Sequence, residues 1–169
     1  RLRGVVECAA THQRKIGTIR DLIEYRSQTE SLITLEGERP LQTPYGDFIL
    51  RAYQDRATQS AHLALIKGPI NAEQETWVRV HEPFSVVDLL DSQSPHSWDL
   101  PSAMQYLQAQ AQGVLLLLHR TETGNDLIQR LFPRAQRSAK WDTRTYGIGA
   151  QILKDIGVGK MRVLSRPNK

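Results

Sequence analysis

Residues 113–118 form the longest apolar run in the chain, Gly-Val-Leu-Leu-Leu-Leu. The run is far too short to cross a bilayer, which takes about 20 apolar residues. Gly113 is expected to end a preceding helix, and the apolar residues after it predict a buried strand that closes at His119. A buried strand needs neighbours, and the sequence supplies candidates on both sides of it.

Four segments before this run read as strands with short connections between them: 31–36, the second part of 43–55, 61–68 and 75–82. Gly37 and Pro40 are expected to end the first of these strands. Sequential strands with short connections favour an antiparallel or mixed sheet.

Helical patterns dominate the remainder. Short or amphipathic helices are predicted over 18–26, with Thr18 as N-cap, over 101–112 and over 124–132, and a loop over 83–99. A turn at 146–149 is expected to lead into a last helix that Gly157 caps, followed by a strand at 160–164. These patterns predict an α+β (mixed α/β) domain, with helices packed on a mixed sheet.

Composition narrows the possible partners and location. The chain has 169 residues, 40% of them hydrophobic, and a formal charge of +4, which suits a phosphate-bearing or anionic ligand. Like charges never form a block, so no nucleic-acid partner is expected. The first residues lack the apolar core of a signal peptide, and Cys8 is the single cysteine. A cytoplasmic location without a membrane partner is therefore expected.

Six phrases stand in a distinctive order: TPYGDF (43–48), HLALIKG (62–68), WVRVHE (77–82), GVLLLLHR (113–120), DTRTYGIGAQILKDIGVGKMRVL (142–164) and SRPNK (165–169). In this order they resemble GTP cyclohydrolase II. Residues 15–26 resemble the end of 3,4-dihydroxy-2-butanone 4-phosphate synthase, a domain often fused upstream of it in riboflavin synthesis. The resemblance implies that 1–26 are the tail of such a synthase domain, a partner in the same chain, and that 27–169 are a GTP cyclohydrolase II-like domain.

The same resemblance implies a zinc ion held by three cysteines, and none of the matching positions is a cysteine. They read Glu82-Pro83-Phe84 and Pro95-His96-Ser97-Trp98. Zinc would lower the pKa of bound water from about 15.7 to roughly 7, giving the hydroxide that opens the guanine ring. Other possible ligands lack a recognisable metal spacing: His81, Asp88, Asp91 and His96. We therefore expect a degenerate member without a metal cofactor.

The phosphate-binding segment is altered as well. The family sequence implied here is Arg-Gln-Glu-Gly-Arg-Gly-Ile-Gly, whose glycines let the backbone approach the nucleotide. Residues 119–126 instead read His-Arg-Thr-Glu-Thr-Gly-Asn-Asp. Thr123 stands at an arginine position, and Glu122 and Asp126 stand at glycine positions. Negative charge beside a triphosphate would weaken its binding by repulsion.

Some functional positions still match the family. The resemblance implies that Asp142 is a general base and Arg144 a nucleophile toward the α-phosphorus. Arg79, Ser165 and Lys169 match nucleotide-contacting positions. The alternative is that Asp142 and Arg144 form an exposed pair that fixes the turn, which would contribute about 0–1 kcal/mol. Arginine is a poor nucleophile without a whole site to activate it, so we expect an idle pair.

Three interpretations follow from the sequence. The first is a domain without ring-opening activity, kept as a structural, dimerising or regulatory module and forming a homodimer. The second is an active cyclohydrolase with an unusual metal site, which turns GTP into a diaminopyrimidine, formate and pyrophosphate. The third is a sensor that binds GTP or a related nucleotide without opening its ring.

Overall fold

The computed structural model describes residues 2–16, 18, 25, 30–84, 98–119, 122–132 and 143–165. The chain divides into two compact units, Arg1–Ser31 and Leu32–Lys169. The first unit contains helix α1, Leu2–Thr11, which the sequence patterns did not predict. The helix predicted over 18–26 lies, apart from Thr18 and Tyr25, outside the described residues.

The second unit is built on a mixed sheet, which confirms the predicted fold class. Its described strands are β1 (Ile33–Thr43), β2 (Gly46–Asp55), β3 (Ala61–Lys67), β4 (Glu75–Phe84), β5 (Gly113–His119) and β6 (Lys160–Val163). They lie in the order β1-β2-β3-β5-β4-β6. Pairing is antiparallel from β1 through β3 to β5, whereas β4 runs parallel to both β5 and β6.

Three helices are described in this unit: α2 (Leu100–Gln108), α3 (Gly124–Leu131) and α4 (Thr143–Ile156). Helices α2 and α4 cover opposite faces of the sheet, so each face has its own apolar cluster. Leu116 of β5 points into the α4 cluster and Leu115 into the α2 cluster, and both are fully buried. The prediction of a buried strand in the apolar run is confirmed. Among the described helices, none combines the length and apolar composition that a membrane span requires.

Strand β1 is longer than predicted. It continues through Gly37 and Pro40 to Thr43, with an irregularity in register between Leu35 and Gly37. The expectation that Gly37 and Pro40 end the strand was wrong, because β1 is an edge strand. Proline is tolerated at an edge, where its missing N–H faces no neighbouring strand.

Helix α2 begins as expected and ends earlier than predicted. Asp99 caps it by accepting a hydrogen bond from the Ser102 N–H, and the helix closes at Gln108 instead of residue 112. The early end lets the Gln112 side chain turn into the fold. Its carboxamide oxygen accepts a hydrogen bond from the Asn71 N–H, and its nitrogen donates to the Asn71 carbonyl. The same nitrogen donates to the hydroxyl of Thr76 at 2.9 Å. The amide thus fixes the turn that leads into β4.

Helix α4 begins before the predicted turn. Residues 146–149 are helical, so the expected turn at Tyr146–Gly149 was wrong. Gly149 faces the sheet, and an added Cβ would lie 3.5 Å from the methyl groups of Leu116 and Leu118, an ordinary contact distance. The C-cap was predicted correctly, since Gly157 has φ +94° and the Val158 N–H bonds the Leu153 carbonyl.

Candidate functional site

The parallel strands bring two of the predicted nucleotide-contacting residues together. Val78 of β4 pairs with Val163 of β6, and the Leu164 N–H donates to the Val78 carbonyl at 2.8 Å. Arg79 therefore lies beside the chain that leads into Ser165. In open α/β sheets, ligands bind just beyond the carboxyl ends of such strands.

The first turn of α4 lies at the same end of the sheet. Gly149 packs on Leu116 and Leu118, near the carboxyl end of β5, whereas Gly159 beyond the helix abuts the Ala72 carbonyl before β4. The helix therefore runs back along the sheet, with Arg144 in its first turn. The Arg144 side chain, Asp142 and Lys169 fall outside the described residues, so their roles stay predictions.

Arg79 is the best-defined functional candidate. Its side chain lies on the α2 face and is only 9% exposed. One terminal nitrogen donates to the Leu164 carbonyl at 3.0 Å and the other to the Trp98 carbonyl at 3.4 Å. Its Nε–H is buried and has no acceptor among the residues that the structure describes. Burial lowers the pKa of Arg79, although a guanidinium remains charged at neutral pH.

An aromatic cluster holds one of the acceptors of Arg79 in place. The ring of Trp98 meets Tyr106 edge-on at 5.3 Å, and Tyr106 meets Trp77 in the same manner at 5.2 Å. The Arg162 guanidinium lies 5.0 Å from the centre of the Trp77 ring, a cation–π contact. No sequence pattern predicted this cluster, because its members come from three separate segments of the chain.

The segment after β5 contains a capped helix start. The Thr123 hydroxyl accepts a hydrogen bond from the Asp126 N–H at 3.2 Å. The Asp126 carboxylate accepts one from the Thr123 N–H at 3.0 Å and one from the Thr123 hydroxyl at 2.7 Å. This reciprocal arrangement is a capping box, and its spacing of Thr and Asp was visible in the sequence. The helix predicted over 124–132 is confirmed.

A second polar cluster joins the other end of α4 to the sheet. The Tyr53 hydroxyl donates to the Asp155 carboxylate at 2.8 Å, and Arg51 lies 3.8 Å from the same carboxylate. Arg51 also bonds Glu38 at 2.5 Å, which is the main reason that its pKa is raised. Burial, and then the bond to Asp155, raises the pKa of Tyr53 to about 12. The cluster lies away from Arg79, and its bonds join β2 to the end of α4.

The possible metal ligands lie partly within and partly outside the described residues. Within the ranges that the structure describes, no three His, Cys, Asp or Glu side chains converge as metal ligands would. His81 is buried in β4 and is engaged within the fold. Asp88, Asp91 and His96 fall in residues 85–97, outside the described ranges. The absence of a metal cofactor therefore stays a prediction.

Comparison with known proteins identifies the family. Residues 34–169 match the model of the family described as GTP cyclohydrolase II. The chain belongs to the GTP cyclohydrolase II family. The match begins one residue after the start of β1 and includes the whole sheet apart from Ile33.

Relatives of this family member carry two kinds of name. It is 50% identical to 3,4-dihydroxy-2-butanone 4-phosphate synthase of Neisseria meningitidis serogroup B, over 99% of this chain and 47% of that protein. It is 34% identical to the riboflavin biosynthesis protein RibBA of Bacillus cereus, over 98% of this chain and 45% of that protein. The chain thus spans about half the length of these curated relatives.

A solved structure shares the fold. The crystal structure of RibBX, a two-domain 3,4-dihydroxy-2-butanone 4-phosphate synthase from A. baumannii, matches 98% of this chain and 44% of that chain. The TM-score is 0.63 and the sequence identity is 35%.

Proposed function

We propose that this member of the GTP cyclohydrolase II family lacks GTP ring-opening activity and serves as a structural, dimerising or regulatory module in a riboflavin biosynthesis protein. In this proposal the protein is cytoplasmic. Its partner is a butanone-phosphate synthase domain of the same chain, and that domain ends near residue 26. In this proposal Asp142 and Arg144 match the family's general base and nucleophile but take no part in a reaction.

The capping box after β5 carries the proposal. Asp126 stands in register with a glycine of the phosphate-binding sequence, and its carboxylate is held by Thr123 at the start of α3. Two unit charges about 4 Å apart interact by roughly 1 kcal/mol in water and about 4 kcal/mol near a protein surface. A fixed carboxylate at this position would therefore repel a triphosphate, where the family sequence offers glycine backbone.

The names of the relatives support the same proposal. The Neisseria meningitidis protein at 50% identity and the Pseudomonas aeruginosa protein at 43% are both named for the synthase reaction alone. The name RibBA belongs to a protein at 34% identity. These two relatives, named for the synthase reaction, are thus more similar to the chain than the RibBA protein at 34% identity is.

Formate release is the direct test. Purified protein incubated with GTP and added zinc should release no formate above a protein-free blank, while a zinc-dependent GTP cyclohydrolase II assayed beside it should release formate readily. Metal analysis of the same preparation should find no stoichiometric zinc. Formate production that scales with protein concentration would establish instead an active cyclohydrolase with an unusual metal site.

A nucleotide sensor is the second candidate, and Arg79 is the observation that favours it. Its buried Nε–H has no acceptor among the described residues, and the guanidinium lies beside the chain leading into Ser165. An anionic ligand could accept that hydrogen bond. We would titrate GTP calorimetrically into the protein and into Arg79→Lys, with Arg39→Lys, at an exposed position of β1, as the matched control.

Binding near micromolar strength that Arg79→Lys weakens at least tenfold, and Arg39→Lys leaves unchanged, would favour the sensor. No heat of binding in any of the three proteins would favour the purely structural module.

A further inference from the structure

Strand β6 buries little surface of its own. It lies at an edge of the described sheet, where its described neighbour is β4. All four of its residues are exposed, and even the apolar side chains of Met161 and Val163 are 56% and 48% exposed. Segments with few buried apolar contacts and solvent-exposed hydrogen bonds are those that open locally, while the rest of a fold stays intact.

Exposed charged groups supply further contacts between β6 and β4. Arg162 lies 2.9 Å from the Glu75 carboxylate and 5.0 Å from the centre of the Trp77 ring. Lys160 lies 3.7 Å from the carboxylate of Glu73, before β4, and donates to the Glu73 carbonyl at 3.2 Å. All four charged side chains are more than half exposed, so both ion pairs are weak and are screened by salt.

The residue that follows β6 covers Arg79. The Leu164 carbonyl accepts a hydrogen bond from the Arg79 guanidinium at 3.0 Å, and the Leu164 N–H donates to the Val78 carbonyl at 2.8 Å. The Leu164 side chain is buried in the α2 cluster, on the same face of the sheet as Arg79. Because Arg79 is only 9% exposed, its guanidinium meets solvent freely only when part of this cover moves.

We propose that residues 160–164 form a strap that lifts from β4 as a unit and controls access to the Arg79 guanidinium. Lifting separates β6 from β4, breaks both ion pairs and withdraws the Leu164 carbonyl from Arg79. Arg79 then keeps the Trp98 carbonyl as an acceptor, and its Nε–H becomes accessible. An anion that binds the guanidinium competes with closure of the strap, because the Leu164 carbonyl uses one of the same donors.

The strap goes beyond the function proposed above, because it opens and closes whether or not a nucleotide binds. Its test therefore needs no ligand. Formate release and GTP binding can both be absent while the strap still opens, and either can be present in a protein whose strap stays closed.

Hydrogen exchange followed by NMR tests the strap in the unaltered protein. The Leu164 N–H and the Arg79 Nε–H should exchange through the same opening, so their protection factors should agree. Both should be at least about tenfold less protected than the amides of Leu115 and Leu116 in central β5, which exchange only when the whole sheet opens.

Two results of this measurement would overturn the proposal. Protection of the Leu164 N–H as high as that of β5 would mean that β6 opens only when the whole domain unfolds. A protection factor for the Arg79 Nε–H that differs from that of the Leu164 N–H would mean that another movement gives access to the guanidinium.

The ion pairs are tested by Glu75→Gln, which removes the carboxylate beside Arg162. Protection of the Leu164 N–H and the Arg79 Nε–H should fall by about two- to fivefold, as expected for the loss of one exposed ion pair. Glu38→Gln is the matched control, because it removes an ion pair between β1 and β2, at the opposite edge of the sheet. It should leave both protection factors unchanged.

Salt provides the complementary measurement. In about 1 M sodium chloride the Debye length is about 3 Å, so protection of the Leu164 N–H should fall in the unaltered protein and fall less in Glu75→Gln. Equal protection in Glu75→Gln and Glu38→Gln, or an equal response to salt in the unaltered protein and Glu75→Gln, would overturn the strap as a closure held by charge.

Discussion

Tyr53 and Arg79 each join the C-terminal part of the chain to the sheet through a side-chain hydrogen bond. Tyr53 in β2 bonds Asp155 near the end of α4, and Arg79 in β4 bonds the carbonyl of Leu164 after β6. Each bond joins residues far apart in sequence, so each is formed only in the folded state. Losing one should therefore weaken the native state with little effect on the unfolded chain.

We expect Tyr53→Phe to lower the free energy of unfolding by about 1 kcal/mol at pH 7, since it removes the hydrogen bond to Asp155. The pKa of Tyr53 is about 12 in the folded protein, above the ordinary tyrosine value near 10. The folded state thus holds the phenol proton more tightly than the unfolded chain does. This contribution to stability is complete below about pH 10 and is lost as the pH rises toward 12.

Urea unfolding at several pH values between 8 and 11 checks this prediction. The stability difference between the protein and Tyr53→Phe should shrink as the pH passes 10. Tyr45→Phe, in the turn between β1 and β2, serves as the matched control. A difference for Tyr53→Phe that stays constant up to pH 11 would contradict the raised pKa of Tyr53, to which burial contributes most.

At the level of elements, periodicity predicted which segments are helices or strands, and pairing decided where they end. β1 extends through Pro40 because it lies at the edge of the sheet, a position that its own sequence does not reveal. α2 stops at Gln108 because Gln112 is needed against Asn71 and Thr76. Such boundaries depend on contacts between distant segments, which a local pattern cannot supply.

In the candidate site, too, local features could be predicted from the sequence and long-range contacts could not. The capping box of Thr123 and Asp126 is local, and its spacing could have been recognised in the sequence. The acceptors of Arg79 lie 19 and 85 positions away in the sequence. Arg79 itself could therefore be predicted as a candidate residue, but its hydrogen-bond partners could not.

Gly149, in the middle of α4, and Gly159, directly before β6, should respond in opposite ways to alanine. Gly149→Ala places a methyl group at ordinary contact distance from Leu116 and Leu118 and removes a glycine from a helix. We expect it to raise the free energy of unfolding by about 0.5–1 kcal/mol. Gly159→Ala should lower it by about 1–3 kcal/mol, because its methyl group would collide with the Ala72 backbone.

The free energies of unfolding of the two variants are compared by thermal and urea unfolding, measured side by side. If Gly149→Ala were as destabilising as Gly159→Ala, then α4 would lie closer to β5 than the 3.5 Å contact indicates.

At the level of the whole molecule, the second unit contains everything that its fold needs. Both apolar clusters, the sheet and helices α2 and α4 all lie within Leu32–Lys169. Three layers with two buried interfaces are the usual basis of an independently stable domain.

We therefore expect the fragment Leu32–Lys169 to fold alone. Its far-UV circular dichroism should show mixed helix and strand, and urea should unfold it in one cooperative transition. A fragment that unfolds gradually, while the full chain unfolds cooperatively, would show that the first unit is required.

The parallel pairing of β6 with β4 sets the order in which the fold can be completed during synthesis. β1, β2 and β3 pair with their neighbours in sequence and can form as soon as residue 67 has emerged from the ribosome. β4 must wait for β5 and then for β6, which joins it across a separation such as the 85 positions between Arg79 and Leu164. Until residue 163 emerges, one side of β4 stays open and Arg79 lacks its acceptor at Leu164. Premature termination just before β6 would therefore leave a nearly complete domain with β4 as an unprotected edge strand, a species prone to aggregation.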